Sequence, residues 1–324
     1  MSVFAAIAVL AVLIFVHELG HFLAARLQGI YANRFSIGFG PILWKYQGSQ
    51  TEYAVRAFPL GGFVGFPDDD PDSDIPPHDP NLLRNRPILD RTIVISAGVV
   101  ANLLFAYLVF VAQFATVGVP QDFTYAPGVL VPQVVSESSP AAVAGIRSGD
   151  IIIAADGIDL DAYEGARQQL MEVIQSHAGE SLDLVVQRGD RLLPVTVTPA
   201  LDNAGVPRIG VQLLPNGTVS YREASNPIEV LTMAADEFQT TLVQTAQGLY
   251  SLVTNFSQMA GQVAGPVKIV EQGAGMVKSN ANSLFPFTAI ISINLAIINI
   301  LPLPALEGGQ LAFLLIEGVR GKPL

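Results

Sequence analysis

Val16-His17-Glu18-Leu19-Gly20-His21-Phe22 sits inside an otherwise apolar run from Val3 to Ala25, and the meeting of those two patterns decides how the chain is read. The run is long enough to cross a hydrocarbon core of about 30 Å, and it ends at Arg26. It has no basic leading segment and carries three ionisable residues, so it reads as a retained transmembrane helix rather than a signal peptide. Each charged side chain at mid-span costs about 2.5–3.5 kcal/mol on insertion scales, which makes ionisable groups at that depth functional by default. On a helix, residues i and i+4 stack on one face. His17 and His21 therefore reach one tetrahedral zinc ion, and Glu18, about 100° round the helix, stands where it can take a proton from water that the zinc acidifies. Composition alone produces this five-residue pattern in about two of a thousand such chains. The competing assignment is a pair of neutral imidazoles hydrogen-bonded to a neighbouring helix beside a neutral Glu18.

Two imidazoles leave zinc short of ligands, because a catalytic site takes three protein groups and keeps one position open. The last apolar run, Leu284 to Ile316, is longer than one crossing needs and is broken at Pro302 and Pro304. A broken helix at membrane depth is tolerated only where its freed backbone groups are buried in protein or line a wet cavity. Glu307 stands just past the break, ahead of Gly308 and Gly309, and is the one carboxylate in that run before its end. It is the candidate third ligand; the competing role is an ion pair with an interfacial arginine. His78 and His177 fall in an acidic loop and at a predicted helix end, and are read as solvated.

Outward from these two segments, a second apolar run from Thr92 to Val119 makes another span. Between them, Arg34–Gly40, Ile42–Tyr46, Glu52–Ala57 and Gly62–Phe66 are Gly-punctuated, aromatic and β-branched, as short strands or hairpins are. Pro67 to Pro80 (PDDDPDSDIPPHDP) cannot build a core and is expected to be a mobile surface loop. From Pro120 to Pro215 the hydrophobicity falls. Ser139-Pro140 starts a short helix that Gly145 closes, and Ile151–Ala155 leads into an Asp156-Gly157 turn. Ala166, Leu170, Val173 and Ile174 keep helical spacing, and Leu182–Val186 and Leu193–Val197 alternate about an Arg188-Gly189-Asp190 turn. Asn226 to Ala260 reads as an amphipathic helix against the bilayer.

The 324 residues are half apolar, with a mean hydropathy of +0.45. A soluble protein of this size has no core large enough for three such runs. The fold expected is a polytopic α-helical membrane protein with a membrane-associated β-hairpin region and an inserted αβ module. Its divisions are 1–119 for the first membrane part, 120–215 for the module, 216–283 for the amphipathic region and 284–324 for the broken span. Net charge is −11, without the clustered Lys and Arg that a phosphate-binding surface needs, so nucleic acid is excluded as a partner. Cysteine is absent, which removes disulfides and thiolate metal sites. Seven basic residues from Arg26 to Arg91, with Arg320 and Lys322, place both flanking segments on the cytoplasmic side and the module on the other.

His17–His21 on a first span, together with Asn299-Ile300-Leu301-Pro302-Leu303-Pro304-Ala305-Leu306-Glu307-Gly308-Gly309 on a late one, resembles the site-2 protease family. The resemblance is to the regulator-of-sigma-E type with one inserted PDZ domain, and it covers nearly the whole chain. It takes in Gly61-Gly62-Phe63-Val64, Gly265-Pro266-Val267 and the Ser139 to Asp150 segment, which is similar to bacterial PDZ domains. What it implies is intramembrane zinc-dependent proteolysis of single-span membrane proteins, such as anti-sigma factors, in a bacterial inner or plasma membrane or a cyanobacterial or plastid-like one. In that family, positions matching Asn294 and Asn299 hold the unwound substrate backbone, and the Tyr31 to Phe66 strands correspond to a membrane-reentrant β element that pairs with substrate. The family usually has Asp where Glu307 stands and Pro where Val99 follows Ala97-Gly98, and it normally continues into a further span beyond the position of Leu324. In the PDZ-like module, Gly128, Val129, Leu130 and Val131 are the expected site for a peptide C-terminus, unless the module acts only as a size filter. The alternative to a protease is a silent membrane adaptor that binds partners through that module.

Overall fold

The apolar run that opens the chain forms one uninterrupted helix, α1 (Ser2–Leu27), in the computed structural model, which describes residues 2–70, 73–202, 205–254, 265, 269–270, 273 and 281–322. A two-stranded region follows, β1 (Arg34–Gln47) and β2 (Glu52–Gly65), and then α2 (Ile88–Thr116). Helix α2 starts a turn before the expected Thr92, with Asp90 in its first turn, where a carboxylate meets the positive end of the helix. Both α1 and α2 are long and apolar enough to cross a bilayer. They approach closely: a Cβ on Gly20 would overlap the Ala97 carbonyl and the Ala101 methyl, so small residues on both helices let the backbones touch.

Strands β1 and β2 bend at Gly38, Gly40 and Gly61, whose φ values of +83°, +85° and +114° suit glycine. The bends let two long strands supply four short ones, matching the four segments expected. Arg34–Ile37 pairs with Glu52–Val55 on one edge and with Gly62–Gly65 on the other, while residues 42–47 pair with 52–56. The outermost ladder carries Trp44, which is 55% exposed and stacked on Tyr46. The inner end packs on α1 through Phe15, Phe22, Phe35 and Tyr53. The acidic loop is tied down where it is described: the Asp68 carboxylate accepts the amides of Leu83 and Arg84 at 3.0 Å each, and Leu82 is buried. Charge repulsion is thus offset by capping, which composition does not reveal. His78 is exposed, as expected.

The described residues fall into two compact units, 2–118 with 223 onward, and 119–222. The second unit contains β3 (Val119–Val131), α3 (Pro140–Val143), β4 (Asp150–Ala155), β5 (Ile158–Asp159), α4 (Ala166–Ser176), β6 (Leu182–Arg188), β7 (Arg191–Val197), β8 (Ala200–Leu201), β9 (Pro207–Arg208) and β10 (Leu214–Arg222). Its main sheet runs β10-β3-β4-β6-β7, with β5 on β4. Local signals explain the elements. Ser139 Oγ accepts the Ala142 amide at 3.3 Å with Pro140 in the first turn, Asp156 and Gly157 both have positive φ, and β6 turns into β7 at Gly189. Val129, Val131, Ile152, Leu170, Leu182, Leu184 and Val186 form the core, each worth about 1.5–3 kcal/mol when fully buried. His177 is not simply solvated: its Nδ1 lies 2.8 Å from the Val173 carbonyl at the end of α4. Residues 216–222 continue β10 against 119–125 of β3 instead of opening a helical region.

Back in the first unit, α5 (Pro227–Thr254) begins where Asn226 Oδ1 accepts the Glu229 amide at 2.9 Å while the Glu229 carboxylate accepts the Ser225 amide at 2.6 Å. Residues 255–260 of the expected helix, and Pro266 and Val267, lie outside the described residues. The last apolar run is two helices, α6 (Leu284–Asn299) and α7 (Glu307–Arg320), separated at Pro302 and Pro304. Helices α5 and α6 pack on α2 around Phe110, Phe114, Ala234, Ala289 and Ile293.

Candidate metal centre

The i, i+4 spacing on α1 brings the His17 and His21 rings edge to face, with centroids 4.9 Å apart, planes 84° apart and Nε2 atoms at 3.4 Å. Glu307, at the first position of α7, brings Oε1 to 2.6 Å from His17 Nε2 and 3.4 Å from His21 Nε2. These three ligand atoms converge from the two ends of the chain. The Glu307 side chain is 12% exposed and that of His17 is 14% exposed. Among the described residues Glu307 pairs with the two histidines and with no arginine, and Arg91 Nη1 on α2 lies 2.8 Å from Glu317 Oε1.

Helix α2 shapes the other side of the cluster. His21 Nδ1 lies 2.8 Å from the Val94 carbonyl, and the Asn102 amide lies 3.2 Å from His17 Nδ1. Between them, one turn from each, Gly98 leaves room for both rings, because a Cβ there would overlap His21 Nε2 and His17 Cε1. Sequence reasoning met Gly98 only within a family pattern, gave Asn102 no role at the centre, and missed Val94, whose contact is through its backbone. A glycine and an asparagine four residues apart inside an apolar span were the available signal. Glu18 lies on the β-strand side: a Cβ on Gly62 would come within 2.9 Å of its Cγ, and the Val64 backbone amide is turned toward its carboxylate.

The break before α7 is held by glycines. A Cβ on Gly308 would overlap the Ile300 carbonyl and one on Gly309 the Leu303 carbonyl, so the chain folds back on the first turn of α7 and holds Glu307 against α1. Asn299, the last residue of α6, brings Nδ2 to 3.4 Å from His17 Nε2. Asn294 is half-buried earlier on α6 and makes no hydrogen bond to the cluster among the described residues.

The donor set suits zinc. With bonds of about 2.0–2.1 Å, tetrahedral ligand atoms stand about 3.3 Å apart, close to two of the three separations. Two imidazole nitrogens and a carboxylate oxygen are a catalytic-type set, which leaves a coordination position open. Glu307 Oε2 is buried without a hydrogen-bond partner among the described residues, a cost that a neighbouring cation offsets.

The second unit has a separate cavity of about 880 Å³ between α4 and residues 209–214, lined by Arg167, Met171, Ile174, Ile209, Val211 and Leu213. The cavity's lining does not include Gly128–Val131, the expected peptide site. Val129 and Leu130 pair with Ile152 and Ile151 on one edge of β3 and with Pro215 and Leu214 on the other, which leaves no free edge for an added strand at Gly128–Val131. By contrast, Gly210 O and Gln212 N bond to Val135 and Gln133, which turns the Val211 amide and carbonyl the other way.

A family model described as Peptidase family M50 matches residues 5–324. The chain is 60% identical to "Putative zinc metalloprotease all3971" of Nostoc sp., over 100% of this chain and 88% of that protein. It is 47% identical to "Membrane metalloprotease ARASP, chloroplastic" of Arabidopsis thaliana, over 99% and 71%, and 27% identical to "Zinc metalloprotease RasP" of Bacillus licheniformis, over 100% and 92%. Among solved structures, the PDZ domain of an SdrC-like protein of Listeria monocytogenes aligns at 28% identity, covering 29% of this chain and 94% of that domain with a TM-score of 0.24. A match that runs almost from end to end and takes in both arms of the His–His–Glu cluster leaves one conclusion: the chain belongs to peptidase family M50 and is a membrane zinc metalloprotease.

Proposed function

We propose that the protein hydrolyses peptide bonds of single-span membrane proteins within or beside the bilayer, with His17, His21 and Glu307 holding zinc and Glu18 as general base. The observation that carries this reading is the convergence of three ligand atoms within 4.8 Å of one another, two from a helix long enough to span and one from a broken apolar run. Zinc held there supplies Lewis acidity, polarising a peptide carbonyl and lowering the pKa of water to about 7. Glu18 takes the proton of the attacking water and passes it to the departing amine. Asn299, beside His17, and Asn294 on the same helix offer amides to a substrate backbone that has left its helix and needs partners away from water. Residues 62–65, the ladder nearest Glu18, provide the edge to which an extended substrate adds as a strand.

In this reading α1, α2 and the α6–α7 pair lie in the bilayer, the segments rich in Arg and Lys face the cytoplasm, and the PDZ-like module faces the opposite side. The groove between α4 and Val211 then takes a peptide C-terminus or excludes bulky substrates. The test is zinc content and cleavage of a single-span reporter in detergent. Glu18→Gln should retain zinc and lose at least about 100-fold in turnover, the lower range for a general base; equal turnover in the two proteins would remove Glu18 from the mechanism.

A further inference from the structure

We propose that Asn102 is a positioning residue that fixes the tautomer of His17, so that the metal affinity of the centre depends on a side chain of α2 that does not itself reach the metal. The inference rests on the zinc-binding reading of His17, His21 and Glu307. A neutral imidazole carries one proton, and the nitrogen that faces a metal cannot be the one that holds it. In both rings Nε2 faces Glu307, so Nδ1 must hold the proton and needs an acceptor. His21 Nδ1 has one at 2.8 Å, the Val94 carbonyl, which no substitution removes. Among the described residues, His17 Nδ1 has only the Asn102 amide, at 3.2 Å.

Asn102 is placed for this work. It is fully buried, and its backbone carbonyl accepts the Ser292 hydroxyl of α6 at 2.8 Å, which holds that turn of α2 between α1 and α6. Its Nδ2 is drawn toward His17, while Oδ1 is buried with no partner among the described residues. The two ends of an amide are nearly the same size, and a half-turn about its last torsion exchanges them. With Nε2 committed to the metal, Oδ1 toward Nδ1–H removes a donor-to-donor contact and partners the orphaned oxygen. Val94, Gly98 and Asn102 fall on successive turns of α2, so one helical stripe supplies an acceptor, a gap and an acceptor against the two rings.

The test uses the full chain, purified in detergent and titrated with zinc against a competing chelator. Asn102→Leu, which keeps the bulk and removes the acceptor, should lower zinc affinity by about 10–100-fold, the usual range for losing such a partner. Asn102→Asp, which accepts from Nδ1–H, should stay within a few-fold of wild type. Wild-type affinity in Asn102→Leu, or equal losses in both variants, would overturn the proposal. If the wild-type chain binds no zinc, the metal-centre reading itself has failed. Should Asn102→Leu not fold, ring ¹⁵N spectra of the zinc-loaded wild type decide: a protonated Nδ1 at His17 supports the proposal, and a protonated Nε2 ends it.

Discussion

Gly98 does as much for the centre as the residues that reach into it. Its missing side chain is the space that His17 and His21 occupy, so Gly98→Ala forces the rings off their positions rather than merely tightening a helix contact. Overpacking of this kind costs about 1–3 kcal/mol, which corresponds to about a 5- to 150-fold loss of zinc affinity, measurable by metal analysis after chelator challenge. Retention of wild-type zinc by that variant would show that the rings have another place to go. At this scale the sequence was most legible where chemistry is scarce: two histidines and a glutamate in an apolar helix, and one glutamate beyond a proline break. Glu307, longer by a methylene than the family's usual aspartate, reaches both imidazoles from the first turn of α7. Val94 was illegible because its contribution is a backbone carbonyl, which any residue provides.

Among the elements, β4 and β6 are tied by an ion pair between a buried carboxylate, Asp150, and a partly exposed guanidinium, Arg188. The Asp150 carboxylate, 1% exposed, accepts Arg188 Nε and Nη2 at 2.7 Å each and the Arg147 amide at 2.8 Å. Burial alone would raise its pKa, but the Arg188 hydrogen bonds and the Arg147 amide outweigh burial and hold it below the ordinary value. A carboxylate whose pKa is depressed by folding stabilises the fold above its unfolded pKa of about 3.9, and that stability is lost as pH falls through the lower folded value. The module in the full-length protein should therefore lose melting temperature more steeply below about pH 4 than its Asp150→Asn variant, which should melt lower at neutral pH. Parallel pH profiles would exclude this pair as the acid-sensitive element. Elements with their own punctuation, such as Ser139-Pro140, Asp156-Gly157 and the β6–β7 alternation, were legible in the sequence. The pairing of β10 on β3 was not, since the two strands lie more than eighty residues apart and no local pattern announces such pairing.

For the whole molecule, α2 stands beside both the first and the last apolar segments where they meet. Arg91 at its start pairs with Glu317 on α7 across 226 residues, with side chains 22% and 15% exposed. Arg91→Glu or Glu317→Arg alone should lower thermal stability in detergent, and the double exchange should recover a coupling energy of about 1–3 kcal/mol. Purely additive losses would mean that the pair does not hold the helices together. The order of spans was readable from hydropathy, but their adjacency was not, because chain order does not say which helix touches which. The bent β1–β2 sheet also gives the protein an optical property. Trp44 is its single tryptophan and lies on the outermost ladder, so tryptophan emission comes from one known place on that rim. Reconstitution into vesicles containing brominated lipids should shift that emission to the blue and quench it if the rim dips among acyl chains, and should leave it unchanged if the rim stays in water. The chain thus carries an intrinsic depth gauge that needs no attached dye.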